Sequence, residues 1–187
     1  MTSISDFFLR AKHWQLFLLF IPGAAGVFIN GNRVILSVLA FVSTFLYGSW
    51  LWFAASFFNT ITKKSLRLRL TFFQLTLACL LLYLLVAIPI FQREVALPNA
   101  LVGLSAALFL PLHFVAIFAV LYIFYFVSKS LVLAEAGGPV RFSAYVGPLL
   151  LFWFFPLGVW LLQPRINRLH LANASQSRTN AMLKSQA

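Results

Sequence analysis

The chain has 187 residues, 62% of them apolar, with fourteen Lys and Arg against three Asp and Glu. Soluble domains carry about a quarter charged residues and their helices need a polar face, so the few charges, and above all where they fall, argue against a water-soluble globular fold. The net charge of +11 is scattered over short loops, which suits anionic lipid headgroups and argues against nucleic acid as a partner.

Five stretches contain no Lys, Arg, Asp or Glu: Trp14–Ile29, Val34–Asn59, Leu70–Phe91, Ala100–Val127 and Phe142–Gln163. Backbone amides in hydrocarbon must bond to one another, which reads such stretches as helices. Four of them have 22 residues or more, against the roughly 20 that cross a bilayer. The alternating ~10-residue segments of a membrane barrel are absent. The expected fold is therefore all-α, a polytopic helical membrane protein with about five transmembrane helices. The alternative is four plus a re-entrant segment.

Residues 1–13 read as an interfacial lead. Ser3 or Ser5 can cap a turn that sets Asp6 near its positive end, and Phe7 to Trp14 mix aromatic and basic anchors. Segment one, Trp14–Ile29, has 16 residues and is weakened by Pro22 and Gly23. It reads as a retained helix and not a cleaved signal, because Pro22 to Ala25 lead into further apolar sequence.

A turn at Asn30–Arg33 makes segment two the antiparallel neighbour of segment one. In segment two, Ser37, Ala40, Thr44, Gly48 and Ala55 form a face of small residues on which another helix can approach closely. That helix belongs to the same chain or to a partner subunit. Leu51 is expected on the lipid side.

The loop at residues 60–69 carries Lys63, Lys64, Arg67 and Arg69 and no acid; these four are expected to contact anionic lipid. Segment three holds Cys79, the single cysteine, so no internal disulfide or cysteine-based metal cluster is expected. A turn follows through Arg93, Glu94 and Pro98. Segment four contains Gly103, Ala107 and Pro111, which is expected to kink it. The loop at 128–141 includes the breaker Gly137-Gly138-Pro139. Segment five carries Pro148, Pro156 and Gly158, and the polar tail 164–187 is expected to be flexible. The domain reading is thus a lead (1–13), a helical membrane domain (14–163) and a tail.

Five crossings put the N-terminus and the loops at 60–69 and 128–141 on one side with eight of the fourteen bases. If segment five dips in and returns, the division becomes twelve against two. Basic loops stay cytoplasmic, so either count places the N-terminus inside, in a plasma (inner) membrane.

Chemistry is sparse. All three acids lie outside the apolar stretches, which disfavours carboxylate proton relays, and no metalloprotease or phosphate-loop motif occurs. Catalytic, metal and cofactor sites are expected to be absent. A haem would want an axial pair, and only His113 lies within an apolar stretch. His113, two residues after Pro111, is the candidate polar site inside the membrane. Its plain role is a hydrogen bond to a carbonyl freed by Pro111; its functional alternative is a ligand or proton site. The expected function is a non-enzymatic subunit or scaffold of a membrane complex, as a homo-oligomer or with a membrane-protein partner. A small transporter or lipid-handling protein is the alternative, and a membrane-embedded enzyme stands third.

Overall fold

The computed structural model describes residues 4–25, 33–91 and 99–186, and every regular element among them is helical. In chain order they are α1 (Ile4–Arg10), α2 (His13–Ala25), α3 (Arg33–Ile61), a 3-10 turn at Lys64–Leu66, α4 (Leu70–Phe91), α5 (Asn99–Ala136), α6 (Phe142–Trp153) and α7 (Phe155–Ser185). Ser3 and the expected turns at residues 30–32 and 92–98 lie outside the described residues, as do the side chains of Gly103 and Ala107.

Three stretches are long and apolar enough to cross a membrane: Val34–Ile61, Leu70–Ile88 and Phe109–Ala136. Pro111 sits inside α5 without ending it. α5 runs past Val127 because Ser128–Ala136 contains no breaker. It stops where Gly137 adopts φ 61°, the left-handed cap that glycine alone takes without strain.

The other two apolar stretches form shorter helices, His13–Pro22 and Phe142–Trp153. The second is ~18 Å long, against ~30 Å of hydrocarbon in a bilayer. Segment five is broken at Phe154, which has φ −85° and ψ 65°. In an unbroken helix the Pro156 ring would collide with the Phe152 carbonyl; in the first turn of a new helix that conflict vanishes. Gly158 lies so close to α6 that a Cβ there would run into the Leu151 carbonyl. Seven residues of continuous helix would separate the two by ~10 Å, so α7 is folded tightly against the end of α6.

The chain divides into two units. The first comprises Met1–Phe17, Phe53–Leu68 and Val127–Ala187. In it α7 lies along α1 and the start of α2. Gln163 Nε2 donates to the carbonyls of Phe8 (2.9 Å) and Ala11 (3.1 Å), and Asn167 Nδ2 donates to Ala11 (3.3 Å). The Trp160 ring packs on His13 and Phe17, and His170 Nε2 stands 3.6 Å from the Asp6 carboxylate. Partners run from Phe17 back to Asp6 as α7 runs from Trp160 to His170, so the seam is antiparallel. Phe58, Leu131, Phe152, Leu162 and Ile166 fill its core. α7 stays helical through the polar tail to Ser185 and is exposed from Ser175 onward; that part gains no support from packing.

The second unit comprises Leu18–Trp52 and Arg69–Phe126. α4 and α5 run antiparallel there: Phe73 stacks on Phe126 at 4.5 Å near the start of α4, and Tyr83, further along it, meets His113 earlier in α5. Trp50, Phe73, Leu77, Ile123 and Phe126 are its buried centre.

Candidate functional site

Between α4 and α5, inside the second unit, runs an open groove of about 520 Å³. Phe72, Leu75, Cys79 and Tyr83 line it from α4, and Val115, Phe118, Ala119 and Tyr122 from α5. The spacing on α4 follows three and four residues, one face of a helix. Thr76 also lines it, but its hydroxyl donates to the Phe72 carbonyl at 2.8 Å. The groove wall is accordingly almost wholly apolar.

At one end the Tyr83 hydroxyl and His113 Nδ1 lie 2.8 Å apart. The bond joins α4 to α5, whichever of the two atoms carries the proton. His113 is exposed, as is Pro111, and its Nδ1 bonds to a tyrosine hydroxyl on another helix. Sequence reasoning passed over Tyr83. Its signal was a hydroxyl thirteen residues into an apolar helix, where a tyrosine usually finds a partner.

The small-residue positions of α3 fall as follows. Ser37, Gly48 and Ala55 are buried, and Ala40 and Thr44 half-buried. A Cβ on Gly48 would come within 3.1 Å of a Leu81 δ-carbon. Leu51 is 2% exposed, contrary to its expected lipid-facing position. It lies seven residues after Thr44, two turns on along the same stripe. A void of about 130 Å³ borders Gly48, Leu51 and Leu81.

The four loop bases Lys63, Lys64, Arg67 and Arg69 are all exposed. They differ in what holds them. Arg67 donates from Nε to the Thr62 carbonyl (3.0 Å) and from Nη2 to that of Thr60 (2.8 Å). A cation bonded to the last carbonyls of α3 offsets the helix dipole there. Arg67 is therefore tied to structure, whereas Lys63, Lys64 and Arg69 make no ion pair among the described residues.

The first unit holds its polar side chains close. Gln163, the last residue of the fifth uncharged stretch, is fully buried and bonded as above. Arg165 grips Glu135 through two bonds of 2.9 and 2.5 Å, and Lys129 Nζ lies 5.9 Å from the Tyr145 ring centre, within cation–π range. Among the described residues no three His, Cys, Asp or Glu side chains come together to hold a metal ion.

No protein-family model matches the chain, and neither a curated protein nor a solved structure resembles it.

Proposed function

We propose that the chain is a multi-pass integral membrane subunit or scaffold without catalysis of its own, with four crossings, one re-entrant hairpin and both termini in the cytoplasm. The antiparallel seam between α7 and the N-terminal lead carries this reading. Gln163 and His170 sit beside Phe8, Ala11 and Asp6, which supports an α7 that leaves the bilayer where α2 enters it. Residues 142–163 then enter and return on one side, through the break at Phe154. This arrangement gathers twelve bases on the cytoplasmic side and leaves Arg33 and Arg93 opposite, the asymmetry expected of basic loops.

The scaffold role is supported by how the polar side chains are used. Gln163 and Arg67 bond to backbone carbonyls, and Arg165 pairs with Glu135. Each of these contacts joins helices or closes a helix end. Crosslinking in native membranes, followed by purification in mild detergent, tests the role. A stoichiometric membrane-protein partner or a second copy is expected. A chain that purifies alone as a monomer and moves a solute across reconstituted vesicles would overturn it. The α4–α5 groove favours the second reading, a lipid-handling protein.

A further inference from the structure

We propose that the α4–α5 groove seats one acyl chain of an anionic phospholipid whose phosphate lies at Arg69. The proposal rests on reading α4 and α5 as membrane spans. From Phe72 to Tyr83 the groove runs eleven residues, ~16 Å at 1.5 Å per residue, about half the ~30 Å hydrocarbon thickness and thus the depth of one leaflet. The groove is open along its length and its wall is almost wholly apolar, which suits a hydrocarbon chain lying lengthwise in it.

Beyond the Tyr122 hydroxyl and the Cys79 thiol, little polar chemistry inside the groove is open to a ligand. Thr76 bonds to its own helix, and Tyr83 with His113 closes the far end. A polar ligand would find little to bind there, whereas an apolar chain loses nothing. Charge appears only at the near end. The Phe73 N–H donates to the Arg69 carbonyl at 3.5 Å, which fixes Arg69 one turn before Phe72, and residues 69, 72, 76 and 83 share one helical stripe. Arg69 is exposed, and the loop that ends with it carries three further bases and no acid. A headgroup there meets positive charge while its chain lies along Phe72, Cys79 and Ala119.

The test uses the full chain reconstituted with equimolar phosphatidylglycerol and phosphatidylcholine, re-extracted in mild detergent and weighed intact with its retained lipid. Wild type is expected to keep one phospholipid and to prefer phosphatidylglycerol several-fold. Ala119→Trp fills the groove and should cut retention at least tenfold, whereas Leu82→Trp, at an exposed position outside the groove, should not. Arg69→Gln should keep lipid and lose the preference. Wild-type retention by Ala119→Trp, or equal retention of the two lipids by wild type, would overturn the proposal. If Ala119→Trp does not fold, a photocrosslinker on Cys79 in native membranes decides instead: a phospholipid adduct supports the proposal and a polypeptide adduct overturns it. Release of the wild-type chain from membranes by alkaline carbonate would remove the membrane reading, and the proposal with it.

Discussion

Two glycines show how differently the two units are built. Gly158, in the first, lies against a backbone carbonyl, that of Leu151; Gly48, in the second, lies against the methyl groups of Leu81. A methyl group can rotate aside and a main-chain carbonyl cannot. The same contrast extends through both regions. The first unit fixes its helices by hydrogen bonds to the main chain of α1 and by a carboxylate–guanidinium pair. In the second, ring stacking and aliphatic packing dominate, with the Tyr83–His113 bond joining α4 and α5. Directional contacts specify one geometry, whereas apolar packing tolerates adjustment, so the first unit is expected to be the less forgiving.

The largest predicted effect follows directly. Gly158→Ala should destabilise the protein by about 3 kcal/mol or more, the upper end for overpacking, because only backbone movement relieves the clash. Gly147, nearby on α6, has nothing within 4 Å of its Cβ position. Gly147→Ala should therefore be neutral or stabilising by about 0.5–1 kcal/mol, the helical preference for Ala. Thermal melts in detergent that overlay for the two variants would refute the close approach of α7 to α6.

Gln163→Leu comes next. It strands the Phe8 carbonyl and leaves that of Ala11 to Asn167 alone, and leaving a buried group unsatisfied costs about 1–3 kcal/mol. A weaker hold on the N-terminal lead should also appear as faster proteolysis around Arg10 and Lys12. Unchanged melting and proteolysis would show that the seam contributes little.

The reach of sequence reasoning differed between the regions for the same physical reason. α3, α4 and the middle of α5 are legible because long uncharged runs leave helix as the sole way to satisfy their amides. Pro156 and Gly158 permit the break in segment five, but proline alone does not fix it, since Pro111 and Pro148 lie inside α5 and α6 without ending them. Pairing was not legible. Nothing local in Gln163 says that its partners lie more than 150 residues away, and Tyr83 becomes a partner of His113 only once α4 and α5 lie antiparallel. Leu51 was misplaced by arithmetic rather than physics, because a step of seven from Thr44 returns to the same stripe.

In the second unit the expected effects are smaller. His113→Leu or Tyr83→Phe removes one interhelical bond, about 0.6 kcal/mol on average for such bonds in a membrane. His113→Gln, which keeps a donor, should melt close to wild type. If it does so and yet loses partner assembly or lipid retention, His113 has a functional role beyond joining the helices. Gly48→Ala should be smallest, below about 1 kcal/mol, as the Leu81 methyls and the adjoining void absorb the added carbon. A loss as large as that of Gly158→Ala would erase the contrast between the units.

The side on which the tail emerges tests the account most directly. Single cysteines at Ser65 and Ser177 in a Cys79→Ser background can be probed with a membrane-impermeant maleimide on intact cells. Both positions are predicted to stay unlabelled until the membrane is permeabilised and then to label together. Labelling of the Ser177 position in intact cells while the Ser65 position stays protected would put the tail outside. That result would make residues 142–163 a full crossing and contradict the re-entrant hairpin.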